Sequence, residues 1–238
     1  MAQKYLIFGA TGSIGSSLAN LLYKDKLDCH LVGRNEVELK KISNTLNYTY
    51  SVCDVLKLNF IKNLSEDLTN TEILGIAYCV GSIDIKPFKN TKASDFVSSY
   101  VLNLVSATEI IRNFQENLKK NNASIVLFST VAAKKGFANH SIISPAKAAV
   151  EGLTLALAAE LAPNIRVNCI APSLTKSKIA NAVLRNQTIE EAIAKMHPLK
   201  RIGKGDDSAN LANFLLTAKS SWITGQIIGV DGGRSNIT

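Results

Sequence analysis

The chain has 238 residues, of which 46% are hydrophobic and 19% are charged, and its formal net charge is +8. This length matches one α/β domain, and this hydrophobic content excludes a globally disordered chain. Charges interrupt every apolar run before it reaches membrane-spanning length, and the basic residues are spread rather than clustered. We therefore expect no membrane segment and no nucleic-acid partner, whereas the surplus positive charge favours anionic ligands.

The start of the chain predicts a strand, a glycine-rich turn and a helix. Tyr5–Phe8 is a short apolar run typical of a buried strand, and the amphipathic stretch Ser13–Lys24 predicts a helix. Gly9, Gly12 and Gly15 follow the strand at intervals of three, so that backbone can approach a diphosphate at the positive end of the helix. The expected contacts of this phosphate-binding corner are Gly9, Thr11, Gly12, Ser13, Ile14 and Gly15.

Strand and helix signals alternate through the rest of the chain. Further strands are predicted at Asp28–Gly33, Tyr48–Cys53, Ile73–Val80, Ser124–Phe128, Ile165–Ala171 and Gln226–Val230. Further helices are predicted at Glu36–Leu46, Lys57–Leu68, Ala93–Lys119, Ala146–Leu161, Ser177–Lys195 and Asp207–Thr217. This order predicts an α/β fold in three layers, a doubly wound, Rossmann-like parallel sheet forming a single domain over residues 1–238.

The cysteines and histidines indicate neither disulfides nor a metal site. Each of the four cysteines lies in or beside an apolar run, and no two form a C-x-x-C pair. Buried free thiols of this kind are typical of a reducing compartment, so we expect a cytoplasmic protein. The three histidines are far apart in sequence, and we expect no bound metal.

Several motifs then occur in the order typical of one enzyme family. Asp54 and Val55 follow the third predicted strand, Gly81 ends a four-residue motif after the fourth, and Asn103 lies in the long helix. Three C-terminal segments complete the set: 165–173, 198–203 and 223–233. By these motifs the chain resembles the short-chain dehydrogenase/reductase family over essentially its full length. Its glycine spacing is similar to that of the extended branch, whereas the other motifs are similar to the single-domain reductases.

The resemblance implies a nicotinamide dinucleotide cofactor. Asp54 and Val55 correspond to the residues that hold the adenine ring, and further implied contacts are Gly81, Lys147, Pro172 and Thr175. NAD-preferring sites place a carboxylate at the end of the second strand, where this chain has Gly33 followed by Arg34. Because an arginine can pair with a 2′-phosphate, we expect NADP(H) rather than NAD(H).

The resemblance also implies a catalytic tetrad, and one member is missing. Asn103 matches the family's asparagine, and Lys147 matches its lysine. The serine position corresponds to Thr130, with the neighbouring Ser129 as an alternative. Ile143 stands where the family has its proton-transferring tyrosine, and an aliphatic side chain cannot move a proton. General acid–base catalysis contributes about 10²–10⁴-fold, so this loss is substantial.

Three interpretations follow from the missing tyrosine. The first is an oxidoreductase acting on a carbonyl or alcohol, with its proton supplied by His140, by water, or by Thr130 acting with Lys147. Imidazoles exchange protons near neutral pH, which suits His140 to the task. The second is a cofactor-binding protein with little turnover, acting as a sensor or partner subunit. The third is a lyase or epimerase that uses a different base.

Three further expectations concern the second half of the chain. Ser144 and Pro145 predict a helix N-cap and first helical position, although a start at Ser141 with a strained first turn is an alternative. Residues 177–197 are expected to cover the substrate, whose identity the sequence does not indicate. The apolar faces of the helices Ala93–Lys119 and Ala146–Leu161 are compatible with a homodimer or homotetramer, although burial in the core explains them equally well.

Overall fold

The first strand, β1 (Ala2–Phe8), lies in the middle of the sheet and is covered on both faces. In the computed structural model, which describes residues 1–237, Leu6 and Phe8 point into one core and Tyr5 and Ile7 into the other. This alternation follows from the two-residue period of a strand, and helices on both sides make both sets of side chains apolar.

Seven parallel strands form the sheet in the order β3-β2-β1-β4-β5-β6-β7. The strands after β1 are β2 (Cys29–Gly33), β3 (Thr49–Val52), β4 (Thr71–Tyr78), β5 (Ser124–Phe128), β6 (Arg166–Pro172) and β7 (Ile227–Val230). The strand order reverses between β1 and β4, and a crevice opens at the carboxyl ends of the strands at such a point. This is the doubly wound sheet that the sequence predicts.

Helices cover the sheet on both faces and complete three layers. They are α1 (Ser13–Lys24), α2 (Glu36–Leu46), α3 (Phe60–Asp67), α4 (Ala93–Tyr100), α5 (Ser106–Lys120), α6 (Ile143–Leu161), α7 (Gln187–Lys195) and α8 (Gly205–Leu216). Helices α1, α2 and α8 pack on one face, and α3, α5 and α6 pack on the other. None of the helices within residues 1–237 combines the length and the apolar character needed to cross a membrane.

The predicted long helix is interrupted by a π-helical turn. Residues Val101–Val105 form this turn between α4 and α5, with Asn103 at its centre. Of the side chains on the predicted apolar face, Ile111 is buried, but Val97 and Val105 are exposed to solvent. Of the two explanations for the apolar face of this segment, burial in the core therefore does not account for these two valines.

Helix α6 begins between the two starts that its sequence suggests. Its N-cap is Ile142 and its first residue is Ile143, so neither predicted start, at Pro145 or at Ser141, is correct. Pro145 is tolerated as the third helical residue because backbone N–H groups in a first turn have no partner within the helix. Ile143 therefore lies on the helix itself, at the end that faces the crevice.

Residues 177–197 form two short helical pieces rather than one helix. A 3-10 helix spans Lys178–Ala182, and α7 follows after a short connection, with the Asn186 side chain capping its N-terminus. Because the two pieces pack over the crevice, this segment covers the space beyond the ends of β4, β5 and β6.

Candidate functional site

A cavity of about 1300 Å³ lies at the carboxyl ends of the strands. Every residue that the sequence predicts to bind the cofactor lines it. These are Gly9, Thr11, Gly12, Ser13, Ile14, Gly15, Arg34, Asp54, Val55, Gly81, Lys147, Pro172 and Thr175. Among the predicted catalytic residues, Thr130, His140 and Lys147 also line the cavity, and Asn103 lies directly behind Gly81. Ligand cavities commonly measure 300–1000 Å³, so this one has room for a dinucleotide together with a small substrate.

Two glycines fix the shape of the phosphate corner. Gly9 has φ +74°, and a Cβ there would lie 2.9 Å from the backbone carbonyl of Cys79. A Cβ on Gly15 would lie 2.4 Å from the carbonyl oxygen of Gly9, a separation too short for any side chain at this position. Gly12 is the N-cap of α1 and supplies no side-chain acceptor, so the first amides of the helix face the cavity without a side-chain cap. Unpaired amides at the positive end of a helix bind phosphate oxygens.

The far end of the cavity, beside β2, is lined by Arg34 and by two carboxylates. Arg34 is exposed, and the first turn of α2 adds Glu36 and Glu38. Sequence reasoning missed these two acids because it considered only the position at the end of the strand. Each acid is paired with a lysine: Glu36 with Lys40 at 2.8 Å, and Glu38 with Lys178 across the cavity. Each carboxylate therefore has a lysine partner, and neither is paired with Arg34, which lines the same end of the cavity.

Lys147 is held in a buried position on the second turn of α6. Its ammonium is part of a side chain only 7% exposed, and Nζ donates a hydrogen bond to the carbonyl oxygen of Phe128 at 2.8 Å. Burial lowers the pKa of this ammonium to about 8, an effect that the nearby thiols of Cys169 and Cys79 partly oppose. An amine with this pKa exchanges protons close to physiological pH.

Asn103 and Lys147 both approach Gly81. A Cβ built on Gly81 would lie 3.1 Å from Asn103 Oδ1 and 3.2 Å from Lys147 Nζ, so a larger residue there would push both side chains by a few tenths of an ångström. Asn103 Nδ2 donates to the carbonyl oxygen of Ser99 at 2.8 Å, which fixes the amide orientation. Oδ1 is buried and accepts no hydrogen bond within residues 1–237. A buried acceptor of this kind binds a water or a ligand, and π-turns are frequent at functional sites.

The two candidates for the serine position have different surroundings. The Ser129 hydroxyl is buried and lies 2.8 Å from Glu151 Oε1 and 3.1 Å from the carbonyl oxygen of Lys147. Its proton is therefore engaged in fixing β5 to α6. Thr130 Oγ1 only accepts a bond from the Ala132 amide at 3.3 Å, which leaves its own proton available. This geometry favours Thr130 over Ser129 as the group that contacts a substrate.

Ile143 and His140 lie in the cavity wall where a proton donor is required. Ile143 is buried and presents an apolar surface to the cavity. His140, on the loop before α6, has Nδ1 at 2.7 Å from the carbonyl oxygen of Ala138, so Nδ1 carries a proton. Nε2 is then the nitrogen that can take up and release a second proton.

Sequence reasoning missed two residues at the substrate end of the cavity, Phe137 and Arg234. The Arg234 guanidinium lies 5.0 Å from the centre of the Phe137 ring. Arg234 follows β7 near the C-terminus, and no local motif indicates that the chain returns to the cavity there. Within the described residues, no group of three or more potential ligands is placed to hold a metal ion.

Comparison with known proteins agrees with this geometry. A family model described as enoyl-(acyl carrier protein) reductase matches residues 9–235. A 3-oxoacyl-(acyl-carrier-protein) reductase FabG from Rickettsia bellii is 33% identical, with 97% of this chain and 96% of that protein covered. A tropinone reductase homologue from Arabidopsis thaliana is 31% identical, with 96% and 90% covered.

Solved structures show the same architecture. A short-chain dehydrogenase/reductase from Mycobacterium ulcerans superposes with a TM-score of 0.90 at 26% identity, covering 98% of this chain and 90% of that one. The chain belongs to the short-chain dehydrogenase/reductase family. As a short-chain dehydrogenase/reductase whose relatives are named reductases and dehydrogenases, it is an oxidoreductase of this type.

Proposed function

We propose that this short-chain dehydrogenase/reductase uses NADP(H) to interconvert a carbonyl and an alcohol, in a site that has Ile143 where the family has tyrosine. The observation that carries the proposal is the approach of both Asn103 and Lys147 to Gly81, in the same cavity as the glycine corner of α1. The relatives named as reductases of a 3-oxoacyl group and of tropinone support a carbonyl substrate.

The cavity fits a dinucleotide at each of its parts. The uncapped amides of α1 suit the diphosphate, and Asp54 and Val55 suit the adenine ring. Arg34 suits a 2′-phosphate, since the neighbouring acids are already paired with lysines. The buried Lys147 ammonium suits the ribose hydroxyls next to the nicotinamide. When bound, the cofactor supplies or accepts the hydride.

The chain's own residues orient the substrate and move the proton. Thr130 donates a hydrogen bond to the carbonyl oxygen, and the segment 177–197 closes over the substrate and excludes water. His140 Nε2 is the first candidate for the proton donor in reduction. Lys147, acting through Thr130 or through a water on Asn103 Oδ1, is the second, because its pKa of about 8 permits release near neutral pH.

The test follows oxidation of NADPH and of NADH with a panel of ketones, aldehydes and keto acids. We expect turnover with a clear preference for NADPH. Ile143→Tyr should raise kcat by about 10²-fold, whereas the matched control Ile143→Phe, which adds the ring without the hydroxyl, should not. His140→Ala should lower kcat by about 10²-fold if this histidine donates the proton. A larger effect of Thr130→Val would instead assign the proton path to Lys147.

The alternative functions give different results in the same experiment. NADPH that binds but is not oxidised, even by Ile143→Tyr, would indicate a cofactor-binding sensor or partner subunit. Product formed with no net change in reduced cofactor would indicate a lyase or epimerase. Calorimetry that detects neither cofactor at millimolar concentration would overturn the proposal, and a preference for NADH would overturn the role of Arg34.

A further inference from the structure

Arg234 brings a positive charge to the substrate end of the cavity. It lies on the segment after β7, and its guanidinium packs against Phe137, which belongs to the loop between β5 and α6. Both residues line the cavity together with His140, whose ring centre lies 5.4 Å from that of Phe137. The guanidinium therefore faces the region where the substrate, rather than the dinucleotide, is expected to bind.

No carboxylate of residues 1–237 lies within 4.0 Å of this guanidinium. Nη1 is enclosed by protein, without a hydrogen-bond partner in the described part of the chain, so a ligand would contact the guanidinium through its other N–H groups. Asp231, three residues earlier, accepts hydrogen bonds from the amides of Gly233 and Ser235 and from the Ser235 hydroxyl instead. Arginine in a partly buried position is ordinarily paired with a carboxylate or phosphate, so this one has donors to spare.

The surroundings of Arg234 strengthen its positive potential. Lys135 Nζ donates to the carbonyl oxygen of Arg234 at 2.8 Å, which adds a second cation and fixes the backbone of the segment. An anionic group reaching this end of the cavity would meet a guanidinium that no carboxylate of residues 1–237 contacts within 4.0 Å.

Arg234 and Lys147 line the same cavity, whose lining also includes the apolar side chains of Ile85, Val131, Ile143, Val183 and Ile193. A ligand that reaches from Arg234 to Lys147 would match these side chains when its body is apolar and its charge is confined to one end. Arg234 would hold that charged end, while the carbonyl lies near Lys147 and Thr130.

We propose that Arg234 determines substrate specificity by binding an oxoanion, a carboxylate or a phosphate, at the end of the substrate remote from its carbonyl. This inference rests on the proposed function, because it assigns the substrate class of the same site. A guanidinium binds both oxoanions through paired N–H donors, and the cation–π contact with Phe137 holds its plane in place.

The experiment compares keto acids with the methyl esters of the same acids, and keto phosphates with the corresponding alcohols, using NADPH. The readout is the ratio of kcat/KM for each acid or phosphate to that of its neutral partner. We expect the ratio to be at least about tenfold in the wild type and to fall by about 10- to 100-fold in Arg234→Met. Arg234→Lys should restore part of it. Arg112→Met, which removes a surface arginine on α5, is the control and should leave the ratio unchanged.

A ratio near one in the wild type overturns the inference. So does an Arg234→Met variant that loses activity equally on charged and neutral partners, since a structural role would lower both. If nothing is turned over, calorimetry on the NADP⁺ complex gives an independent readout. A keto acid that binds at least about tenfold more tightly than its ester, with the difference lost in Arg234→Met, supports the inference even though the proposed activity fails; equal binding of acid and ester rejects it.

Discussion

At the scale of the residue, the proposed function places the buried ammonium of Lys147 against the cofactor, so we expect cofactor binding to depend on pH. Its folded-state pKa is lowered to about 8 by burial, so the group is charged below that pH and becomes neutral above it. The thiols beside it do not titrate in the same range, because burial raises the pKa of both Cys79 and Cys169 to about 12. Loss of the ammonium removes a donor to the ribose hydroxyls.

We predict that the affinity for NADPH is constant between pH 6 and about 8 and then falls, by up to about tenfold per pH unit. Lys147→Met should bind NADPH more weakly at neutral pH and should show no such fall. Calorimetric titration of both proteins across this range measures the effect. An equal fall in Lys147→Met would assign the pH dependence to another group.

Local sequence motifs indicated the residues that line the glycine-turn part of the cavity but not Phe137 and Arg234. Gly9 was predicted from a tight turn, Gly15 from a close backbone approach and Arg34 from the end of a strand. Each of these features is set by residues that are neighbours in the sequence. Arg234 and Phe137 were not, because about a hundred residues separate them and only the tertiary fold brings them together. The same reason hid Lys178, whose partner Glu38 lies on the opposite side of the cavity.

At the scale of the element, a series of hydrogen-bonded polar groups joins β1, β2, β3 and α3, and its Lys4, His30 and Ser51 are buried. Lys4 Nζ donates to Thr49 Oγ1 at 2.9 Å, so the Thr49 proton is directed to His30 Nδ1 at 2.8 Å. His30 Nε2 then donates to Ser51 Oγ at 2.8 Å, and Ser51 donates to Asp67. All of these hydrogen bonds have a matching donor and acceptor only when the His30 imidazole is neutral. Burial is the main cause that lowers the pKa of His30 to about 4, and the positive charge of Lys4 is the second cause.

We predict that acid destabilises the fold through His30, well before its carboxylates protonate. Between pH 6.5 and about 4 the unfolded chain binds a proton at this histidine that the folded chain does not. The free energy of unfolding therefore decreases as the pH is lowered through this range, by about 3 kcal/mol in total. The carboxylates of Asp25, Asp95 and Asp207 lose their contribution at lower pH. Side-chain hydrogen bonds, from Asn213 and Lys219 to Asp25, from Lys86 to Asp95 and from Arg201 to Asp207, hold the pKa of each carboxyl below 3.8, although burial opposes this shift.

Urea unfolding at several pH values measures this slope. In His30→Gln the free energy of unfolding should be lower at neutral pH but should change far less between pH 6.5 and about 4. The slope, rather than the absolute stability, is the readout, because removing a buried side chain destabilises the protein at every pH. A slope equal to that of the wild type would show that His30 is not the group that titrates.

Element types were predictable from the sequence, whereas the exact ends of the elements were set by packing. The apolar strands and amphipathic helices follow from periodicity that each segment carries by itself. The start of α6 at Ile143 is different, because the Ser144 amide bonds to the carbonyl oxygen of His140 in the preceding loop and no cap residue marks the position. The π-turn at Val101–Val105 likewise has no local signal, since its residues suit a regular helix equally well.

At the scale of the whole molecule, one layer of helices leaves apolar side chains in solvent. Val97 is 63% exposed on α4, Val105 is 44% exposed in the π-turn, and Leu155 is 51% exposed on α6. These helices lie on the same face of the sheet, and α4 packs against α6. Burial in the core was one explanation of the apolar sequence pattern, and it does not account for these three residues. Contact with a second copy of the chain accounts for all of them.

We predict that the protein forms a homodimer or homotetramer through this layer and that Leu155→Glu, combined with Val105→Glu, reduces it to a monomer. Two charges placed in an apolar interface have no partners there, so association should weaken by several orders of magnitude. Light scattering after size-exclusion chromatography gives the mass. Val37→Glu is the matched control, because Val37 is 78% exposed on α2, which packs on the opposite face of the sheet, and its replacement should leave the assembly unchanged. Equal masses for the wild type and the double variant would contradict the prediction. Self-association would then not be the reason that these apolar side chains are exposed.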